Sequence, residues 1–218
     1  MIEEMYQEKE HSYFSNVRSD IIHFVKDEKD LKVLEVGGGK GNTLLYLKKK
    51  EIASEIHMID IIDLVEDKEK FNSVHILDIE ESNLTNIGKF DVIILADVLE
   101  HLKDPDNVVS KLKKLLSKNG FFLVSIPNIR HYSALIKIYL KGSFRYEEEG
   151  IFDKTHIRFF CKSDMIRLFS GNEDLKIEKI LPNNKILRSK ATLINKLTFG
   201  MFTQFFTVQY LFKINRVS

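Results

Sequence analysis

The chain has 218 residues, of which 44% are hydrophobic and 30% are charged, a composition typical of one globular domain with an appendage. Its 33 basic and 32 acidic side chains leave a formal charge of +1, which excludes a strongly basic nucleic-acid binder and argues against nucleic acid as a partner. The single cysteine, Cys161, excludes a framework of internal disulfides. Because the first residues also lack a basic segment followed by an apolar one, we expect a cytoplasmic protein.

Strands and helices alternate along much of the chain. Apolar runs predict strands at residues 32–36, 55–60, 73–78, 90–95, 121–126, 175–180 and 208–214. Apolar residues at helical spacing predict helices at 19–29, 42–49, 105–119, 135–140 and 162–169. Near-continuous apolar strands are typical of a parallel sheet covered on both faces, so the pattern predicts an α/β fold of βαβ units. Ligands of such folds bind beyond the carboxyl ends of the strands.

A glycine-rich loop follows the first predicted strand. Residues 35–41 have the spacing E-x-G-x-G-x-G, which permits a tight turn and a close approach of the backbone to a ligand. The dinucleotide fingerprint is excluded because Asn42 stands where its last glycine belongs, and the P-loop is excluded because Lys40 precedes Gly41. Glu35 beside the glycines favours a cationic or hydrogen-bond-donating ligand over a pyrophosphate.

Acidic residues end the second and third predicted strands. Asp60 can accept hydrogen bonds from both hydroxyls of a ribose, and Asp78 can accept one from an exocyclic amine such as that of adenine. The neighbouring Ile61 and Ile79 can enclose a flat base. Taken alone, each acid is most often a strand-end cap or a turn residue, but together with the glycine loop they predict a site for a nucleoside with a cationic tail.

The segment 33–127 resembles the class I S-adenosylmethionine-dependent methyltransferases. The glycine loop resembles their first motif, Asp60 their ribose-binding acid and Asp78 their adenine-contacting acid. Residues 90–105, which contain Leu-Glu-His-Leu, resemble their fourth-strand motif in the branch of quinone-type O-methyltransferases. The resemblance implies a Rossmann-like, mostly parallel seven-stranded sheet with helices on both faces and an inserted lid. Gly38 departs from relatives that often have a Cys or Ser-like residue there, and we expect cofactor binding to persist.

The resemblance implies S-adenosylmethionine as the cofactor and S-adenosylhomocysteine as the product. It places an aromatic residue and an arginine of the N-terminal segment, Tyr13 and Arg18, near the cofactor's carboxylate, although Arg18 could also be a charge on a helix face. The implied cofactor residues are Tyr13, Arg18, Glu35, Gly37, Gly39, Gly41, Asp60, Ile61, Asp78, Ile79 and Asp97.

The segment 128–160 interrupts the alternation with a long polar and aromatic stretch. Loops of this length are usually functional, so we expect it to cover the cofactor pocket and to supply the acceptor site. Its string Asp-Lys-Thr-His-Ile-Arg-Phe-Phe, residues 153–160, resembles methyltransferases found with bacterial surface-polysaccharide and capsule systems. That resemblance implies a sugar or a glycan precursor as acceptor. The predicted acceptor-binding residues are Arg130, His131, Arg145, Asp153 and Arg158, with surface solvation as the alternative for the arginines.

Methyl transfer to an alcohol needs in-line alignment and benefits from a general base. The predicted catalytic residues are His101, His156 and Asp97. The alternatives are a helix-end residue for His101, a structural lid contact for His156 and a cofactor contact for Asp97. Four other histidines, His11, His23, His57 and His75, show no metal-ligand spacing, so no metal site is predicted.

We expect one methyltransferase domain over residues 1–218, made of a helical cap (1–30), a cofactor-binding core (31–127), an acceptor lid (128–160) and C-terminal helices with a strand pair (161–218). The apolar segment 191–214 is predicted as a helix followed by a core strand, with peripheral membrane contact as the alternative. Three functions stay open: O-methylation of a sugar-type acceptor, N- or O-methylation of a quinone-like molecule, and a non-catalytic cofactor-binding module. The oligomeric state is undetermined.

Overall fold

The computed structural model describes residues 17–183 and 202–217. Its strands form one seven-stranded sheet in the order β3-β2-β1-β4-β5-β7-β6. The strands are β1 (Leu31–Val36), β2 (Ala53–Asp60), β3 (Ser73–Ile76), β4 (Phe90–Ala96), β5 (Leu116–Pro127), β6 (Leu175–Asn183) and β7 (Gln209–Arg216). The first five are parallel, and β7 lies antiparallel between β5 and β6. The predicted Rossmann-like, mostly parallel seven-stranded sheet is therefore confirmed.

Helices cover both faces of the sheet. The described α-helices are α1 (Ser19–Ile22), α2 (Asn42–Lys49), α3 (Pro105–Lys113), α4 (Tyr132–Leu135), α5 (Lys162–Ser170) and α6 (Thr203–Phe206). Successive side chains of a strand point to opposite faces of the sheet, and each face has its own hydrophobic core. Leu34 packs in the core with α3 and α5, and its neighbour Val33 packs in the core with α1 and α2. Because β1–β5 pair in parallel, their carboxyl ends lie along one common edge of the sheet.

The largest differences from the predicted boundaries lie in the first helix and at the start of β5. The helix expected at 19–29 ends at Ile22, because the backbone amides of Phe24 and Val25 bond to carbonyls three residues back rather than four. Strand β5 begins at Leu116, within the helix predicted at 105–119. The strand starts this early because Leu116 pairs with Phe90 of β4. The pairing then shifts register before Phe121, so the first residues of the strand form an irregular extension.

The segment 128–160 crosses the carboxyl edge of the sheet and is mostly irregular, as expected of a lid. The helix predicted at 135–140 is a short α-helix, α4, that continues as one turn of π-helix at Ile136–Leu140. Part of the apolar segment 191–214 lies outside the described residues, whereas its last part forms α6 and β7. Among the residues described, none of the helices has the length and apolar character needed to cross a membrane.

Candidate active site

A cavity of about 620 Å³ opens at the carboxyl edge of the sheet, at the ends of β1–β4. This volume is in the range of small-molecule sites. Predicted site residues in its lining are Arg18, Glu35, Gly37, Gly39, Asp60, Ile61, Asp78, Ile79, Asp97 and His101. The structure therefore gathers most of the predicted cofactor residues and one predicted base around one space. Gly41 lies just behind this lining, and Tyr13 is outside the described residues.

The glycine loop is shaped by close neighbours as much as by its turn. Gly41 has a φ of +73°, and a Cβ there would lie 2.5 Å from Cζ of Phe71, so only glycine fits. A Cβ at Gly38 would lie 2.9 Å from Sδ of Met58, which gives a packing reason for glycine where relatives have larger residues. The loop leads directly into α2, and Thr43 in the first turn of this helix lines the cavity.

Two carboxyl groups lie beside the glycine loop. Asp60 accepts hydrogen bonds from the backbone N–H of Gly39 at 2.9 Å and of Ile62 at 3.0 Å, which orients its carboxylate. Glu35 is 3% exposed, and its Oε2 has no hydrogen-bond partner among the described residues. The pKa of Glu35 is raised to about 8, chiefly by burial; the charge of Arg18 lowers it and that of Asp60 raises it. A buried acceptor without a partner in a cavity wall fits a ligand that brings a hydrogen-bond donor or a positive charge.

Arg18 is held by acidic groups on the other side of the cavity. Its Nη1 donates to Oδ2 of Asp97 at 2.7 Å, and its Nε donates to Oδ1 of Asp20 at 3.0 Å. Ser125 accepts from Arg18 at 2.9 Å and donates to Asp97 at 3.0 Å. Burial disfavours the charge of Arg18, but Asp97 and Asp20 hold its pKa above the ordinary value. A cofactor carboxylate, which the family resemblance places near Arg18, would share this guanidinium with two protein carboxylates.

Asp97 follows β4 with a φ of +58°, a left-handed conformation that is rare for a residue other than glycine. Its backbone N–H donates to Oγ of Ser125 at 3.1 Å, and its carboxylate accepts from Gln209 of β7. These contacts hold the backbone of Asp97 in its unfavourable left-handed conformation. Strained backbone of this kind is concentrated at binding and catalytic sites.

His101 lies on the turn after β4, on the 3₁₀ helix Leu99–His101. Its Nδ1 lies 3.0 Å from the carbonyl oxygen of Thr155 in the lid, and its ring centroid lies 4.8 Å from that of His156. Because His101 also lines the cavity, it is the predicted histidine base that the structure brings to the site, together with Asp97. His156 is buried behind it and does not line the cavity.

Glu100, which the sequence analysis quoted only as part of a motif, is 1% exposed. Neither carboxyl oxygen has a hydrogen-bond partner among the described residues, and burial together with Asp97 raises the pKa of Glu100 well above its ordinary value. Glu100, His101 and His156 each offer one ligand atom within 4.8 Å of the others, a set from which a metal site could be built. The 3.9 Å between Nε2 of His156 and Oε1 of Glu100 is wider than the roughly 3.4 Å between two ligands of a tetrahedral zinc ion. In this geometry the cluster does not match a tetrahedral zinc site.

The five predicted acceptor-binding residues of the lid do not line the cavity. Arg158 donates to the carbonyl of Leu102 at 3.0 Å, and Arg130 donates to Oε1 of Gln204 at 2.7 Å. His131 caps α4 by accepting from the N–H of Ser133, and burial lowers its pKa. Arg145 is exposed on the outer surface, and Asp153 is buried within the lid.

Other residues complete the cavity walls. Glu149 is the lid residue that lines the cavity, and Asp20 and Gln209 line it beside Arg18. Asp20 lies two positions after Arg18, so a paired acid could have been noticed in the sequence. Gln209 arrives from β7, 191 positions after Arg18, and no local pattern predicts that contact.

Comparisons with known proteins agree with this architecture. Residues 6–178 match the family described as Methyltransferase domain. The chain is 26% identical over 122 residues to a ubiquinone biosynthesis O-methyltransferase of Glaesserella parasuis, with 52% of this chain and 47% of the relative covered. It is 26% identical over 154 residues to the enzyme of the same name from Vibrio campbellii, with 65% and 63% covered. The chain thus spans about half to two thirds of the length of these relatives.

Solved structures share the fold. An S-adenosylmethionine-dependent methyltransferase from Archaeoglobus fulgidus superposes with a TM-score of 0.59 at 20% identity, covering 90% of each chain. The plantazolicin methyltransferase BpumL in complex with S-adenosylhomocysteine superposes with a TM-score of 0.61 at 17% identity, covering 95% of this chain and 88% of that one. Since the family match extends over more than half of the sequence, the chain belongs to the Methyltransferase domain family.

Proposed function

We propose that this protein is an S-adenosylmethionine-dependent O-methyltransferase that acts on a hydroxyl group of a small acceptor. The observation that carries the proposal is that one cavity holds the glycine loop, the strand-end acids Asp60 and Asp78, and the histidine His101. The residues proposed to bind the nucleoside and the residue proposed to accept the proton therefore line the same cavity. The names of the solved neighbours and the curated relatives support the same reaction class.

The cavity suits the parts of the cofactor in order. Asp60 would accept hydrogen bonds from the ribose hydroxyls, and Asp78 would accept one from the adenine amine. Ile61 and Ile79 would contact the two faces of the adenine. The buried Oε2 of Glu35, which lacks a partner among the described residues, would accept from a cationic or N–H group at the methionine end. When bound, S-adenosylmethionine supplies an electrophilic methyl group on a sulfonium.

The chain's own residues would do the remaining chemistry. The loop, Asp60 and Arg18 with its acidic partners would fix the position of the reactants, which is the main contribution an enzyme makes to an in-line displacement. His101 would accept the proton of the attacking hydroxyl, because this residue lines the cavity and a neutral imidazole can take up a proton. The lid would cover the cavity and exclude water.

Two acceptor classes fit, and the cavity wall favours an uncharged hydroxyl. Arg130, Arg145 and Arg158, which the sequence assigns to a phosphate or carboxylate, do not line it. A quinol or catechol hydroxyl is supported by the names of the curated relatives, and a sugar hydroxyl by the resemblance of the lid string. Of the two, we propose the quinol or catechol as the first to test.

The test supplies S-adenosylmethionine carrying a labelled methyl group and detects a methyl ether by mass spectrometry. Simple catechols, free hexoses and nucleotide-linked hexoses serve as separate acceptors. We expect transfer to one class and a fall in kcat of about 10²–10⁴-fold in His101→Ala, because general-base catalysis has this size. His23→Ala, an exposed histidine on another element, is the matched control. An unchanged rate in His101→Ala would contradict the base assignment, and binding of the cofactor without transfer to any acceptor would favour a non-catalytic module.

A further inference from the structure

The inner part of the lid, residues 151–158, is bonded to the turn that carries His101. The backbone N–H groups of Ile157 and Arg158 both donate to the carbonyl of Glu100, each at 3.0 Å. The Arg158 side chain donates to the carbonyl of Leu102 at 3.0 Å. These bonds lie on both sides of His101, so this part of the lid and the turn after β4 are held together as one unit.

The bond between the lid and the His101 ring determines which ring nitrogen carries hydrogen. Nδ1 of His101 lies 3.0 Å from the carbonyl oxygen of Thr155. A carbonyl oxygen can only accept, so Nδ1 must be the donor, and the neutral ring then carries its lone pair on Nε2. The opposite tautomer has hydrogen on Nε2 and cannot take up a proton at that atom. The Thr155 carbonyl thus selects the tautomer in which Nε2 acts as a base.

Thr155 is in turn held by Asp153. Oδ1 of Asp153 accepts from the backbone N–H of Thr155 at 2.8 Å and from its hydroxyl at 2.6 Å. The carbonyl of Asp153 accepts from the N–H of His156 at 2.9 Å, and Nδ1 of His156 donates to the carbonyl of Ile151 at 3.0 Å. Asp153 is 1% exposed and does not line the cavity, so its part in this turn replaces the acceptor contact predicted from the sequence.

We propose that Asp153 is a positioning residue for the methyl-transfer base: by fixing Thr155 it places the carbonyl that sets the tautomer and orientation of His101. The inference rests on the proposed function, because it assigns His101 the role of base. It adds that the base is assembled jointly by the turn after β4 and the lid. Correct hydrogen bonding of the non-reacting ring nitrogen is a known requirement for a histidine base, as in the catalytic triads.

The first test reads the tautomer without any acceptor. Long-range ¹H–¹⁵N NMR spectra of protein labelled in its histidine rings distinguish hydrogen on Nδ1 from hydrogen on Nε2, and His101→Gln identifies the signal. Spectra are recorded with and without S-adenosylhomocysteine. We expect hydrogen on Nδ1 in the wild type and in Asp153→Asn, which keeps an acceptor oxygen. We expect that signature to be lost in Asp153→Ala. Hydrogen on Nε2 in the wild type, or an unchanged signature in Asp153→Ala, would overturn the proposal.

A milder pair of variants covers the case in which Asp153→Ala does not fold. Thr155→Val removes the hydroxyl bond to Asp153, and Thr155→Ser keeps it. We expect the Nδ1 signature to weaken in the valine variant alone, and the same response in both variants would contradict the proposal.

The second test uses activity on the acceptor found for the wild type. In Asp153→Ala we expect kcat to fall by about 10²-fold, the lower end for loss of a general base, with little change in KM or in the calorimetric Kd of S-adenosylhomocysteine. A rise in KM with kcat unchanged would instead indicate an acceptor-binding residue and overturn the positioning role. If the wild type fails to bind S-adenosylhomocysteine, the proposed function is wrong. The NMR spectra still show, independently of that result, whether Asp153 sets the tautomer of His101.

Discussion

Replacing the buried Glu35 with glutamine should change how the stability of the protein depends on pH. Burial raises the pKa of Glu35 from an ordinary value of 4.5 to about 8. Between these two values the folded state holds a proton that the unfolded chain has released. Stability therefore falls as pH rises, by up to about 1.4 kcal/mol per pH unit for this one group. From pH 5.5 to pH 8 the loss amounts to about 3 kcal/mol, and it is complete above the folded pKa.

The assay is urea denaturation of the wild type, Glu35→Gln and the exposed control Glu51→Gln at several pH values from 5.5 to 8.5, without cofactor. The glutamine side chain cannot ionise, so the free energy of unfolding of Glu35→Gln relative to the wild type should increase by about 3 kcal/mol across this range. Glu51→Gln should follow the wild type at every pH. Parallel curves for the wild type and Glu35→Gln would refute the reasoning, because they would mean that Glu35 ionises in the fold as easily as in water.

Two further stability predictions concern the cavity walls. Gly41→Ala should destabilise the protein by about 2 kcal/mol more than Gly142→Ala in thermal or urea denaturation. Both glycines have a positive φ, but only at Gly41 would the new Cβ clash with Phe71. Equal losses of stability would contradict the packing argument. Arg18→Met should lower the free energy of unfolding by about 3 kcal/mol, because it leaves the acidic groups without their cation. Adding Asp97→Asn to this variant should recover part of that stability. A double-mutant cycle that shows no coupling would contradict a direct ion pair.

The fold and the cofactor half of the site follow from local sequence patterns. Apolar runs that alternate with helical spacing predict parallel strands, and the residue after each strand is then placed at one edge. Glu35, Asp60, Asp78 and His101 all lie at or near the carboxyl ends of β1–β4, and they line one cavity. Of the departures from expectation, the short first helix changes the bonding of its segment but leaves Ile21 buried.

The lid could not be predicted in the same way because its side chains bond to distant parts of the chain. The Arg158 guanidinium bonds to a carbonyl 56 positions away, and Arg130 bonds to a side chain 74 positions away. An arginine in a polar loop indicates an anion-binding site only when no carbonyl or side-chain acceptor of the protein itself lies near its guanidinium. Asp153 likewise bonds within its own turn, and only the structure shows that the turn meets His101.

The most direct test of the account is a calorimetric titration of S-adenosylhomocysteine and S-adenosylmethionine into the wild type and two aspartate variants. Asp60→Ala removes the acceptor proposed for the ribose hydroxyls, and Asp63→Ala removes an exposed acid that does not line the cavity. We expect micromolar binding to the wild type and to Asp63→Ala. Loss of two hydrogen bonds to a charged group should weaken binding to Asp60→Ala by about 100-fold or more. No binding to the wild type, or equal binding to all three proteins, would contradict the assignment of the cavity as the cofactor site.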